Sequence, residues 1–432
     1  MTDINELTDP YHRRIRELSD RIVDAQRPIR VLDAIKWDAG IKDAFFRGGC
    51  KEQPPVDRDY YLSIPLEFDP ATKREEFYAI ERDISKQLGQ FSPIGKIMQR
   101  ICREYRMVVR LLEQRGTREF SSISDELYGT SSDAFHAGDP TVADLSEMML
   151  NTLGNIDSSL ILQIELKNIS SDLAVQMLQQ RLDKVFKPLQ MPVSVQLSDG
   201  IIADAAAGAD YIKIRREAMF NERDIRVLEV HEGWAHLGTT LNGGMQPVCT
   251  FLSKGPPSSV VTQEGLAILL EILSLASYPF RLRRLANRTR AVAIAEQGGT
   301  FLDVFQYFMD QGFDREHSYS NSVRVFRGST PTLGPFTKDL CYNKGFILVY
   351  NYIQLAVRKG MLDRIPLLFC GKTVLDDMRS IAQLVEEGIV LPPRFLPPPF
   401  SDLNAMTAWM CYSNFLNSLS LDRIETDYAN IF

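Results

Sequence analysis

The chain has 432 residues, 44% of them hydrophobic and 24% charged, and a formal net charge of −7. That profile fits a folded protein with one large domain and an appended part, or two domains, and is unlike a disordered chain. Mild acidity gives no electrostatic basis for nucleic acid or an anionic membrane as partner, and no run of about 18 apolar residues is present to span a bilayer.

The N-terminus, MTDINELTDPYHRR, is acidic and has no apolar stretch, so it does not read as a secretory signal. Residues 11–27 then place Ile15, Leu18, Ile22 and Val23 at helical spacing. Residues 49–60 form a polar, proline-bearing loop, and 71–114 return to helical pattern with Gly116 as a stop. The stretch 117–143 is rich in Ser, Thr, Asp and Gly and reads as a long loop. After a helix at 173–186, the segment 193–215 alternates like two or three short strands with turns between them. It places Lys213 and Arg215 on one strand face.

From about 223 to 385 the pattern is mostly helical. An extended proline-rich stretch follows at 390–400, with a last helix over 402–420. The six cysteines (Cys50, Cys102, Cys249, Cys341, Cys370, Cys411) are scattered without a CxxC pair. They read as free thiols in a reducing, cytoplasmic setting.

Two of the five histidines, His231 and His236, lie five apart in VLEVHEGWAHLGTTLNG, as H-E-x-x-x-H. The H-E-x-x-H signature of zinc peptidases is one residue shorter. On a regular α-helix, positions i and i+4 differ by about 40° in direction, but i and i+5 by roughly 140°. A local i→i+5 turn would bring both imidazoles to one side, so an irregular turn is expected at 231–236, eased by Gly233. A third ligand is expected from the next helix. Glu264 in VVTQEGLAILLEI stands 28 residues after His236, a charge in an apolar run that a metal would neutralise.

Glu232 follows the first ligand directly and is the candidate general base. Each feature also has an ordinary reading: histidines of the core, and a glutamate favoured by a helix N-terminus. The apolar flanks Val227, Leu228, Val230, Ala235 and Leu237 bury the segment, and buried histidines need partners. Glu271, seven after Glu264, is either a partner for one of them or a surface charge. Asn242 reads as a helix cap in αL. His136 and His317 have no partnered pattern. The GKT at 371–373 is not a phosphate loop, because the required earlier glycine falls at Pro366.

The blocks SDGIIADAAAGADYIKIR, VHEGWAHLGTTLNGGMQP, TQEGLAILLEI and VFRGSTPTLGPFTKDLCYNKGF, in this order, resemble the QEGLA-motif proteins, labelled flavohemoglobin expression-modulating in bacterial genomes. That family is related to the microtubule-associated tyrosine carboxypeptidases, which hold zinc with an H-E-x-x-x-H helix and a downstream Glu and remove the C-terminal tyrosine of α-tubulin. The likeness maps His231, His236 and Glu264 to the ligands of one Zn2+ per chain and Glu232 to the base. It departs at Gln263, where the eukaryotic relatives have Glu, and substrate preference is not carried over.

The expected fold is α+β and predominantly helical. A zincin-like metallopeptidase core with a small β-sheet would occupy 145–432, behind a helical N-terminal part at 1–144. Two functions follow from the sequence. One is a zinc carboxypeptidase acting on a peptide or protein C-terminus, without nucleic acid or membrane partners. The other is a regulatory protein that keeps the metal site. A carboxypeptidase needs donors for the terminal carboxylate; the candidates are Lys213, Arg215, Arg327 and Lys338, with Arg324 and Lys344 nearby, and Tyr342 is the candidate oxyanion donor.

Overall fold

The computed structural model describes residues 9–156, 166–201 and 203–420, with Ile424 and Tyr428. The acidic start (1–8) and Ile202 of the SDGIIADAAAG block lie outside these. Helix α1 (Pro10–Gln26) begins where Asp9 accepts the Tyr11 amide, and it buries Ile15, Leu18 and Ile22. Helices α2 (Pro70–Leu88) and α3 (Pro93–Glu113) pack on each other, each opened by an Asp or Ser cap followed by proline.

Helix α4 (Arg118–Tyr128) corrects the loop expected at 117–143. Its serines suggested a turn, but Phe120 and Ile123 are buried at helical spacing. Ser124 is satisfied inside by Thr337, 3.0 Å away. Helix α5 (Val142–Gly154) starts at a Thr141–Asp144 capping box, and α6 (Ser171–Phe186) lies where the pattern put it.

Strands β1 (Ser194–Ser198), β2 (Ala205–Ala207) and β3 (Tyr211–Arg215) form one sheet in the order β1-β3-β2. The β1–β3 pair is parallel with Val195 opposite Ile212; β2–β3 is antiparallel with Ala206 opposite Lys213. Ile212 and Ile214 are fully buried, which turns Tyr211, Lys213 and Arg215 to the other face.

A continuous helical run, α7, then has three segments: α-helical Glu222–Leu228, π-helical Glu229–Leu237 and α-helical Gly238–Gly244. Helix α8 (Pro257–Leu273) packs against the π segment and against α12 (Cys341–Arg358). Between them in the chain come α9 (Pro279–Glu296), α10 (Phe301–Asp310) and α11 (Arg315–Phe326). Helices α13 (Met378–Glu386) and α14 (Leu403–Leu416) complete the set. One apolar core takes in Ile15, Phe77 and Met98 together with Leu266 and Val349. A second, aromatic one gathers Trp37, Phe45, Phe301 and Phe308.

Asn242 is not an αL cap; it sits inside α7, buried. Its Nδ2 donates to the carbonyls of Phe369 and Phe395, both at 2.8 Å. Its Oδ1 accepts the amides of Arg394 at 3.1 Å and Phe395 at 2.9 Å. One side chain thus fastens the extended proline-rich tail to the helix that carries the histidines. Asn242→Leu strands all four backbone groups. At roughly 1 kcal/mol for each lost partner, the expected loss is about 3–4 kcal/mol, read as a lower urea midpoint. A loss under about 1 kcal/mol would show that the tail holds without it.

Candidate metal centre

The π segment solves the spacing problem that the sequence posed. With the wider turn, His231 and His236 face the same point, and their Nε2 atoms are 3.2 Å apart. The expected irregular turn is therefore present. Gly233 has a second reason to be glycine. An added Cβ would meet Leu182 Cδ2 at 2.5 Å, so the wide turn lies directly against α6.

Glu264 comes from the middle of α8, not its first turn, which removes the helix-dipole explanation of its charge. Its Oε2 is 3.3 Å from His231 Nε2 and 3.4 Å from His236 Nε2. Neither approach has hydrogen-bond geometry, and this buried oxygen has no partner among the described residues. One ligand atom from each of the three residues lies within 4.8 Å of the others.

The surroundings set the charge. Glu271 is fully buried, and its Oε1 lies 2.7 Å from His231 Nδ1. A carboxylate only accepts, so Nδ1 carries the proton and Nε2 faces the cluster. Arg281 holds Glu271 from behind, Nη2 to Oε1 at 2.9 Å and Nε to Oε2 at 3.2 Å. Burial opposes the Glu271 charge, but Arg281 and His231 outweigh it and lower its pKa to about 2. Burial also opposes a charged His231, yet Glu264 and Glu271 lift its pKa to about 10.

Glu264 follows the same pattern. Burial disfavours its charge, while Lys338, 3.5 Å from Oε1, and the imidazoles hold it well below the usual carboxylate range. Two imidazoles and a carboxylate thus converge where positive charge is wanted. A cation can replace the proton there, so the donors fit a borderline metal such as zinc.

Glu232 stands beside the cluster, with Oε2 accepting the Ala207 amide of β2 at 3.0 Å. His231, Glu232, His236, Glu264, Arg327, Lys338 and Tyr342 all line one open cleft. The Tyr342 ring stacks on His231 with centroids 6.4 Å apart. Arg327 is buried over the Phe336 ring and makes no ion pair among the described residues.

Other expected donors fall elsewhere. Arg215 lines an adjoining cavity and is held by Asp204 at 2.6 Å. Lys213 lines neither space, and its ammonium sits 5.5 Å from the Tyr211 ring centroid. Lys344 is held by Asp133 at 2.6 Å, and Arg324 by both oxygens of Asp339. His317 pairs with Asp314 on the surface, and His136 is exposed away from the cluster.

Lys372, in the rejected GKT, has a place that spacing could not reveal. Its Nζ donates to the His236 carbonyl at 2.8 Å, Gln263 Oε1 at 3.0 Å and Thr239 Oγ1 at 3.1 Å. Burial lowers its pKa to about 7, against the pull of Glu264 and Glu232. Arg281 was likewise not visible as a site residue, since only the fold brings α9 behind Glu271.

Fold and cleft together define a mainly helical protein with an open candidate metal centre built on a π turn. The family model described as microtubule-associated tyrosine carboxypeptidase matches residues 43–418, and the chain belongs to that family. A search among curated proteins finds no match.

Proposed function

We propose that the chain is a zinc-dependent carboxypeptidase with a zincin-like core, acting on the C-terminal end of a peptide or protein. The observation that carries this reading is the convergence of His231, His236 and Glu264 in a cleft that also holds Glu232. Family membership supports release of a C-terminal residue as the reaction. The catalytic part is proposed to begin near residue 145, with the earlier helices packed on it.

In this proposal His231, His236 and Glu264 hold the metal and leave a position open toward the cleft. A zinc ion bound there would supply Lewis acidity and make a water nucleophilic near neutral pH. Glu232 takes a proton from the attacking water and passes it to the leaving amine. The amide of Ala207 keeps one of its oxygens in place, leaving the other for that proton. Tyr342, whose hydroxyl has no partner among the described residues, donates to the developing oxyanion. Arg327 lines the cleft and is the proposed donor to the substrate's peptide chain there. Lys338 is engaged by Glu264 and balances its charge, and no role is proposed for Lys213. Six free cysteines support a reducing compartment, and no helix of the described residues is long and apolar enough to cross a membrane.

The deciding experiment uses the purified chain with peptides of varied C-termini. Hydrolysis is expected to stop on chelation and to fall by about 10²–10⁴-fold in Glu232→Gln, with metal content and melting temperature unchanged. Undiminished hydrolysis in Glu232→Gln would sink the mechanism. No hydrolysis by the metal-loaded wild type would favour a binding protein that keeps a metal site.

A further inference from the structure

Beside the cleft lies a second cavity that shares His231, Glu232 and Tyr342 with it. One wall is α9, whose Arg281, Arg284 and Arg288 stand three and four apart and so share a helix face. Arg281 is taken by Glu271, and two further arginines lining the cavity, Arg215 of β3 and Arg324 of α11, by Asp204 and Asp339. Arg284 is different. It makes no hydrogen bond or ion pair among the described residues, and its Nε is buried without a partner. Arg288 reaches only the neutral Asn321 Oδ1, at 3.3 Å.

The carboxylates that act on Arg284 are committed elsewhere. Asp204 accepts from Arg215, while Asp224 accepts from the Tyr278 hydroxyl at 2.8 Å and closes the Asn221 cap. Burial lowers the pKa of both free arginines, and Arg281 and Arg324 add like-charge repulsion. The carboxylate that acts on Arg288 is Asp339, and both of its oxygens are taken by Arg324. Sheltered guanidinium groups without a counter-charge of their own are costly, and an anion that enters relieves that cost. Glu316 on the same lining is taken by Lys42, and Glu217 is exposed, so Arg284 and Arg288 are left beside the candidate metal ligands without a carboxylate of their own, which calls for an anionic occupant.

We propose that this cavity seats the residue released from the substrate, and that this residue is acidic. One of the two guanidiniums takes its α-carboxylate and the other the side-chain carboxylate of a C-terminal Glu or Asp. The cavity opens directly onto Glu232 and His231, so its occupant is the residue next to the scissile bond. Two planar forks one helical turn apart suit two carboxylates of one residue. A tyrosine or leucine in the same place leaves one fork unmatched. This inference rests on the metallocarboxypeptidase reading and specifies its substrate class.

The test uses the zinc-loaded full chain and peptides that are identical except for a last residue of Glu, Gln or Tyr. The Glu peptide is expected to exceed the Gln peptide in kcat/KM by about tenfold or more, the usual worth of one charge-assisted hydrogen bond. Arg284→Gln and Arg288→Gln should each pull that ratio toward unity, mainly through KM, without lowering the melting temperature. A ratio that survives in both variants, or Gln or Tyr released as well as Glu, overturns the proposal.

A second readout needs no turnover. Calorimetry on Glu232→Gln should show free L-glutamate binding more tightly than L-glutamine, with the difference lost when Arg288→Gln is added. If no peptide is cleaved but this difference is found, the acidic seat stands and the peptidase reading fails. If glutamate and glutamine bind alike, the acidic seat falls, whatever the peptidase result.

Discussion

Glu264→Ala is expected to leave the chain folded but without metal, against about one zinc per chain in the wild type. Three donors converge on one point, and this change removes the one carboxylate among them. It also leaves the Lys338 ammonium, now 3.5 Å from Glu264 Oε1, facing two imidazoles without a counter-charge. Both consequences disfavour a cation at the same place. Loss of an outer hydrogen-bonding partner typically costs about 10–100-fold in metal affinity, and loss of a direct donor costs more. Elemental mass spectrometry of the two proteins side by side, with circular dichroism as the folding control, reads the result. Metal retained in the variant would place the ligands elsewhere. No metal in a wild type purified without chelators would remove the basis for zinc chemistry.

The sequence carried this candidate centre because its proposed ligands are local or fall at helical intervals. His231 and His236 stand on one helix, and their five-residue spacing makes sense only with a widened turn, which α7 has. Glu271 was reachable for the same reason, since seven residues along α8 return to the face of Glu264. Lys372 and Arg281 were not reachable. They come from distant segments, and nothing in their local pattern distinguishes them from solvated charges. Lys213 shows the opposite limit. Its strand face was read correctly, but which space that face lines is decided by how the sheet packs, not by alternation along the strand. In α4 a serine-rich composition hid a helix because two of its serines are buried, one of them bonded inside. Asn242 was misread because a turn-forming residue beside glycine suggests an end, while its four hydrogen bonds are all to chain more than 120 residues away.

The glycine of QEGLA, next to the proposed ligand Glu264, has a structural reason that leads to the largest stability effect expected here. Helices α8 and α12 cross at Gly265 and Gly345. A Cβ built on Gly265 would lie 2.1 Å from the carbonyl carbon and oxygen of Gly345. One built on Gly345 would lie 2.0 Å from the Val261 carbonyl oxygen. These obstacles are backbone atoms, so no side-chain rotation relieves them, and the helices must move apart. Both glycines have ordinary negative φ, so the demand is for close approach rather than for a left-handed backbone. Gly265→Ala and Gly345→Ala are each expected to cost more than the usual 1–3 kcal/mol of overpacking. Alanine would otherwise favour a helix by roughly 1 kcal/mol over glycine, so a loss in the face of that preference is diagnostic.

The two substitutions should differ in what they do to the site. Gly265→Ala pushes on the residue that follows Glu264 and should weaken metal binding along with the fold. Gly345→Ala separates the same helices from the other side, and in chains that remain folded the metal should be held more nearly as in the wild type. Chemical denaturation and metal titration on both variants read these effects independently. If both variants unfold at the wild-type midpoint, the helices do not cross as closely as described, and the position of Glu264 in the cluster loses its structural support.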